Sequence, residues 1–272
     1  MTGYTCLGFV WEDGEMRALP TLGGNNGFAT GANARGQIVG WAENTVQDPT
    51  CVPPQVLQFR GVIWGPKEGQ IEELLPLPGD TSTAATAINN RGQVVGISGT
   101  CDQAVGRYTA AHIVLWEKGT VTDLGNLGAP WWNTAMAINQ RGDVVGFAGV
   151  PGGDADSPIL HAFLWTRRDG IQDLGTLPGD VTSQANGIND RGQVVGTSCD
   201  AAGSCRAFKD AKDIPSLRSL GPWCPWCPFQ RYSPPHGRPP GRPHAGGGLP
   251  HVPHRHGDAG PPSRSKPRRR RP

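Results

Sequence analysis

The sequence lacks any run of about 18 apolar residues, so it predicts no helix that spans a membrane. Residues Met1 to Asp13 lack a basic start followed by an apolar run, and no secretory signal peptide is visible there. A Gly-rich phosphate loop, a metalloprotease helix and an ordered Ser-His-Asp set are also missing. We therefore expect no enzymatic activity, no catalytic residues, no cofactor and no metal site.

The chain is rich in residues that bend the backbone. Its 272 residues include 40 Gly and 26 Pro, well above ordinary usage. Up to about residue 208 they separate short apolar runs. This distribution predicts an all-β protein with many turns and few helices.

The net charge of +2 is the sum of two regions of opposite sign. Residues 231–272 contain ten Lys and Arg and one Asp, giving +9, so residues 1–230 hold 15 basic and 22 acidic residues, giving −7. An acidic body does not support specific nucleic-acid binding. Residues 221–272 are mostly Pro, Arg, Gly and His and have too few aliphatic residues to form a core, which predicts a disordered tail.

One nine-residue stretch occurs four times. Ile188–Gly196 reads Ile-Asn-Asp-Arg-Gly-Gln-Val-Val-Gly, and similar stretches begin at Ile88, Ile138 and, in a weaker form, Ala32. The Gly of the Arg-Gly pair falls at positions 36, 92, 142 and 192, which gives steps of 56, 50 and 50 residues. A spacing of this size indicates a repeated supersecondary unit.

Each repeat predicts two β-hairpins. Asn-x-Arg-Gly has the residues of a tight turn, and the Val-Val pair after it predicts a strand that is buried on both faces. A second hairpin precedes it, as at residues 161–175, where His-Ala-Phe-Leu-Trp is followed by an Asp-Gly bend and Ile-Gln-Asp-Leu-Gly. Every unit should therefore contain four short antiparallel strands.

We expect these units to form one β-repeat domain over residues 6–208. The units cover residues 6–59, 60–111, 112–160 and 161–205, and a fifth begins at Arg206 but loses the pattern after Phe208. Stacking around an axis as in a β-propeller would cover both faces of each Val-Val strand, and a linear β-solenoid is the alternative. The abrupt end of the pattern suggests that the tail is translated out of frame, in which case the chain is a truncated or frameshifted fragment without independent function.

The units resemble the HAF repeats of bacterial extracellular repeat proteins. His161 to Trp165 supplies the His-Ala-Phe motif, and Asp173 to Leu177, Gly187 to Asn189 and Gly192 to Gly196 follow it in the order of that repeat. The resemblance implies an extracellular or cell-surface location and no established activity. This chain departs from the motif at Leu7 and Arg60, which replace the His in the first two units.

Four of the seven cysteines lie in or beside the loops between the units. Cys199 and Cys205 flank the short loop 200–204 and are candidates for a disulfide, while Cys51 and Cys101 fall in the corresponding loop of earlier units. Cysteines confined to repeated loop positions indicate an extracellular protein more readily than catalytic thiols.

Tryptophan gives the best candidates for ligand contact. One Trp ends an apolar strand in each unit, a pattern that favours packing between sheets over a row of sugar-binding rings: Trp11, Trp64, Trp116 and Trp165. Trp131 and Trp132 interrupt a loop where the other units have small residues. We therefore expect these two side chains to contribute to a binding surface.

Two other sets of polar residues have simpler explanations than ligand binding. His112 and His161 share one repeat position, but no carboxylate recurs next to them in the sequence, so we expect backbone hydrogen bonds and no metal. Asp80 and Asp180 follow Pro-Gly, and turn formation explains them better than calcium binding.

The predicted function is that of a noncatalytic extracellular or cell-surface module that binds a protein or glycan through loops on one face. The loops that differ between units, at residues 43–58, 101–108 and 149–157, suit such a role. The alternative is a propeller-type hydrolase or lyase, which needs unlike acidic and basic groups converging from different units.

Overall fold

The computed structural model describes residues 5–101 and 110–210. The elements of this part of the chain are β-strands, in agreement with the predicted all-β fold. No helix within these ranges has the length and apolar character needed to cross a membrane. Residues 221–272, predicted to be a disordered tail, lie outside the described residues, as does most of the loop 101–108.

The strands form a hairpin followed by four sheets, each built from strands that are consecutive in the chain. The N-terminal hairpin contains β1 (Phe9–Glu12) and β2 (Glu15–Ala18). Sheet I contains β3 (Gly23–Ala32), β4 (Ile38–Gln47), β5 (Leu57–Trp64) and β6 (Ile71–Leu74). Sheet II contains β7 (Ser82–Ile88), β8 (Val94–Gly99), β9 (His112–Glu117) and β10 (Thr120–Asp123). Sheet III contains β11 (Thr134–Ile138), β12 (Val144–Gly149), β13 (Leu160–Thr166) and β14 (Gly170–Gly175), and sheet IV contains β15 (Thr182–Ile188), β16 (Val194–Cys199) and β17 (Cys205–Asp210).

All of these strands pair antiparallel, and the predicted four-stranded unit is observed three times. The sheets do not begin where the sequence units begin, however. Each of sheets I to III starts with an Asn-x-Arg-Gly hairpin and ends with the Trp hairpin of the following sequence unit, so that Val39 on β4 pairs with Ile63 on β5. A repeated sequence has no intrinsic starting point. The predicted boundaries at 59/60 and 160/161 fall inside β5 and β13, and the boundary at 111/112 falls between β8 and β9 of sheet II.

The paired valines point to opposite faces of their sheet, as predicted for the inner sheets. Val144 packs with Val95 in the core between sheets II and III, whereas its neighbour Val145 packs with Val194 in the core between sheets III and IV. Val195, in the last sheet, is 47% exposed. A Val-Val strand is therefore fully buried only when it has a sheet on each side.

The glycine after each valine pair allows two strands to approach closely. A Cβ on Gly96 would lie 2.1 Å from the carbonyl oxygen of Ala84, and equivalent contacts of 1.9 to 2.1 Å would arise at Gly40, Gly146 and Gly196. Each glycine faces a one-residue β-bulge in the preceding strand, as between Ala85 and Ala87. These four glycines are therefore required by the strand spacing and not by a turn.

Successive sheets stack in the order of the chain. The first strand of each following sheet, β7, β11 or β15, lies across the face of the sheet before it. The stack does not form a closed barrel, and its two ends do not cover each other, since Trp11 on the hairpin is 65% exposed and Val195 remains half-exposed. The choice between a propeller and a solenoid remains a prediction.

Candidate functional site

The connections between strands lie at two opposite ends of the sheets. The turn end carries the Asn-x-Arg-Gly turns at 33–37, 89–93, 139–143 and 189–193, together with the bends between the third and fourth strands. The loop end carries the connections at 48–56, 150–159 and 200–204 and the described ends of the connection between β8 and β9, together with the crossings from one sheet to the next at 75–81, 124–133 and 176–181. This division follows from the antiparallel order of the strands.

A ladder of asparagine side chains joins the turns at the turn end. The buried Asn89 donates through Nδ2 to the carbonyl oxygen of Asn139 at 3.0 Å and to Oε1 of Gln93. Its Oδ1 accepts from the backbone N–H groups two and four residues later. The same bond between sheets links Asn33 to Asn89 at 3.0 Å and Asn139 to Asn189 at 3.1 Å. Each inner asparagine thus uses its complete hydrogen-bonding capacity on its own turn and on the next sheet.

Two further contacts between sheets strengthen the turn end. The residue after Asn33, Asn89 or Asn139 donates its backbone N–H to the side chain at the same position in the next sheet, as from Asn90 to Gln140 Oε1 at 3.0 Å and from Gln140 to Asp190 Oδ1 at 2.7 Å. Arg167 donates to Glu117 at 2.7 Å, and this bond lowers the pKa of Glu117 below its ordinary value. The polar groups of the turn end are therefore largely committed to one another.

The loop end is irregular and is held by disulfides. Cys51 and Cys101, which are 50 residues apart, form a disulfide between the loops that follow β4 and β8. Cys199 and Cys205, the candidate pair from the sequence, form a disulfide across loop 200–204. Cys6 is free and exposed. The sequence signal for the longer disulfide was the position of both cysteines in the same loop of successive units.

The loop 48–56 is fixed by buried charged groups. Glu43 accepts hydrogen bonds from the backbone N–H groups of Asn25 and Asn26, from the Asn26 side chain and from Gln55 Nε2, at 2.8 to 3.1 Å. Asp48 accepts from the backbone and the hydroxyl of Thr50 at 2.9 and 2.6 Å. Burial raises the pKa of Asp48, but its hydrogen bonds, led by those from Thr50, leave the pKa below its ordinary value. The loop is therefore ordered before any ligand arrives.

Trp131 and Trp132, the two predicted binding residues, lie at the loop end in the crossing from sheet II to sheet III, and both are half-buried. Trp132 has a positive φ of 60° and donates from its indole nitrogen to the carbonyl oxygen of Ala155 at 2.9 Å. This bond ties the crossing 124–133 to the loop 150–159. Both residues remain partly exposed, and ligand contact by them stays a prediction.

The strand-ending tryptophans behave as core residues inside the stack. Trp64 and Trp116 are buried, and their indole nitrogens donate to the carbonyl oxygens of Pro20 and Leu75 at 2.8 Å. Trp165 is partly buried against the core between sheets II and III. Trp11 is exposed because the described residues place no sheet in front of it. The tryptophans therefore form no row of exposed sugar-binding rings.

The repeated histidines have carboxylate partners, contrary to the sequence-based expectation. Nδ1 of His112 lies 2.9 Å from Oδ2 of Asp123, and Nδ1 of His161 lies 2.8 Å from Oδ2 of Asp173. Each aspartate comes from the Asp-Leu-Gly motif on the fourth strand, 11 or 12 residues after the histidine, and reaches it across the hairpin. Pairing the third and fourth strands about the bend between them would therefore predict this contact between His and Asp.

The same position in sheet I has a different ion pair. Arg60 lies 3.3 Å from Glu73, and burial lowers the pKa of Arg60 more than the nearby Glu73 and Asp48 raise it. Replacement of a His–Asp pair by an Arg–Glu pair retains the link between the third and fourth strands but changes the metal-binding capacity. The comparison between sheets favours a structural role for these histidines.

The aspartates after Pro-Gly bind protein donors. Asp80 accepts from the Ser98 hydroxyl at 2.6 Å, and Asp180 accepts from Arg206 at 2.6 Å. Within residues 5–101 and 110–210, no group of three or more His, Cys, Asp or Glu side chains is arranged to hold a metal ion. The backbone N–H groups of Asp80 and Asp180 donate to the carbonyl oxygens of Leu77 and Leu177 at 3.1 and 2.9 Å, in agreement with the predicted role in turns.

No protein-family model matches the chain, and no curated protein matches it. The resemblance to HAF repeats therefore remains a prediction that depends on the motifs quoted above.

Proposed function

We propose that the β-repeat domain is a noncatalytic extracellular or cell-surface module that binds a protein or glycan through its loop end. The observation that supports this most strongly is the contrast between the two ends. At the turn end, the same turn recurs in every sheet and its polar groups form hydrogen bonds between sheets. At the loop end, the length of the loops differs from sheet to sheet. Variable loops on a constant scaffold are a common way to build a binding surface.

The loops 48–56 and 150–159 of the loop end are also held in place, so their ordering adds little to the cost of binding. Glu43 and Asp48 hold the loop 48–56, Trp132 holds the loop 150–159, and the disulfide between Cys51 and Cys101 connects neighbouring loops. A loop that is already ordered loses less conformational entropy when a ligand binds. This favours recognition of a defined partner.

Two disulfides support the proposed location outside the cytoplasm. Disulfides persist in oxidising compartments and are rare in reducing ones. Both lie at the loop end, where they restrain the proposed binding surface. They agree with the location that the HAF-like motifs imply.

The test is a glycan array and a protein array probed with the full chain, followed by affinity measurement for each hit. Trp131→Ala and Trp132→Ala remove aromatic surface at the loop end and should weaken binding by about tenfold or more. Arg91→Ala, at the exposed surface of the turn end, is the control and should leave the affinity unchanged.

Three results would contradict the proposal. One is equal loss of affinity in the turn-end control and the tryptophan variants, and another is the absence of binding to any array member. The third is turnover of a glycan that stops when a single loop-end carboxylate such as Asp154 is replaced by Asn. That result would favour the hydrolase or lyase alternative.

A further inference from the structure

Two apolar faces at the ends of the stack are exposed although the equivalent faces inside the stack are buried. One belongs to the N-terminal hairpin, where Phe9, Trp11 and Met16 are 56%, 65% and 67% exposed. The other belongs to sheet IV, where Val195 is 47% exposed. We call them the hairpin face and the terminal face.

The hairpin face is equivalent to the side of sheet II or III that packs against the preceding sheet. Trp11 pairs with Met16 across the hairpin, which places both on one side, while Val10 points the other way into the core under sheet I. The same pair in sheet III is Trp165 with Ile171, and both pack against sheet II. The hairpin therefore presents a side that, elsewhere in this chain, is covered by a preceding sheet.

The terminal face corresponds to the opposite side of an inner sheet. It contains Val195 and Thr197 on β16, with Lys209 and Ala207 paired to them on β17. The equivalents of Val195 in sheets II and III, Val95 and Val145, are fully buried under the next sheet. The terminal face differs at one position: Lys209 pairs with Val195, whereas Leu115 and Leu164 occupy this position in sheets II and III.

Each interface between consecutive sheets in the described residues joins these two kinds of face. Val95 and Leu115 of sheet II meet Phe163 and Trp165 of sheet III. In the next interface, Val145 and Leu164 of sheet III meet Phe208 of sheet IV. The two exposed faces are therefore of the two types that pack together inside the stack, but the hairpin face and the terminal face of one chain do not contact each other.

We propose that the terminal face of one copy binds the hairpin face of a second copy, so that the chains associate head to tail. This contact continues the repeated interface between sheets across a chain boundary. Because the contact joins two different surfaces, a dimer still has one free hairpin face and one free terminal face. Further copies can therefore bind until a ring closes or no free chains remain. The stem of Lys209 can lie along the tryptophan while its ammonium group reaches water.

The test uses the full chain with its free thiols alkylated, so that Cys6 cannot cross-link copies. Sedimentation velocity over a range of concentrations should show the mass rising beyond that of one chain. Trp11→Glu and Val195→Glu each place a charge in one face and should weaken self-association by about a hundredfold or more. Val52→Glu is the control, because Val52 is 61% exposed in the loop 48–56 and belongs to neither face.

Mixing the two variants separates this arrangement from others. Each variant retains one intact face, so an equimolar mixture should form a dimer with one copy of each and should grow no further. A mixture that stays monomeric would overturn the proposal, as would a wild-type chain that stays monomeric at every concentration. Association lost in only one variant would instead indicate a symmetric contact through a single face and would also contradict it.

Discussion

At the scale of single residues, Gly96 tests whether close strand spacing explains the glycine after each valine pair. In Gly96→Ala the new methyl group would lie 2.1 Å from the oxygen of Ala84, and the strands would have to separate. We expect the free energy of unfolding, measured with urea, to fall by about 3 kcal/mol.

Gly187→Ala is the matched control, because Gly187 has no positive φ and its added methyl group would first meet Val195 at 3.4 Å. The equivalent positions carry Ala87 and Ala137. Stability should stay within about 0.5 kcal/mol or rise slightly, since alanine restricts the unfolded chain. Equal effects of the two substitutions would contradict the explanation.

Trp116 and Trp11 occupy the same repeat position in different surroundings. Trp116 is 5% exposed and its indole nitrogen donates to the Leu75 carbonyl oxygen, so Trp116→Ala should reduce the free energy of unfolding by about 3 to 5 kcal/mol. Trp11→Ala should cost the monomer less than about 0.5 kcal/mol. Urea unfolding at low concentration gives both values, and a small cost for Trp116→Ala would mean that the ring is not part of the core.

At the scale of elements, the asparagine ladder makes neighbouring sheets depend on each other. In Asn89→Asp, a carboxylate would face Asn139 O and Gln93 Oε1, the two oxygens that now accept from Nδ2. Because two acceptors would lose their donor in a buried place, we expect a cost of about 3 kcal/mol or more.

Asn189→Asp is the control for the ladder. Asn189 makes the same contacts within its turn, but within the described residues its Nδ2 group has no acceptor in a following sheet. The cost there should be about 1 kcal/mol, as for one exposed hydrogen bond. If thermal or urea unfolding showed equal costs at the two positions, the bond between sheets would contribute nothing.

Local patterns predicted the elements of this fold, but they missed long-range partners and the points where the sheets begin. Val144 and Val145 predicted a strand buried on both faces because side-chain direction alternates along any strand. The partner of His161 was missed because Asp173 is brought to it by the hairpin and not by adjacency in sequence. The bond from Trp132 to Ala155 joins two loops whose paths no residue pattern defines.

At the scale of the whole molecule, stability should vary from the middle of the stack to its ends. β8 and β12 are buried at every position because a sheet lies on each side, whereas β1 and β2 are exposed at seven of their eight positions. Repeat proteins can open from their ends, where one interface is lost and not two.

We therefore expect amide hydrogen exchange to be slowest in β8 and β12 and fastest in the N-terminal hairpin and β17. The Trp11→Glu variant is the preferred sample, because association between copies would protect both ends. Equal protection in all sheets would show that the stack unfolds as one unit.

The disulfide between Cys51 and Cys101 also determines how the chain responds to a pulling force. It joins residues 50 apart in sequence, so tension applied at the chain ends passes through the sulfur atoms and bypasses strands β5 to β8. The bypassed segment holds about 170 Å of extended chain. In single-molecule stretching, this length should be missing from the fully extended chain and should appear when a reductant is added. The disulfide between Cys51 and Cys101 would thus limit the extension of the chain under load for as long as its surroundings remain oxidising.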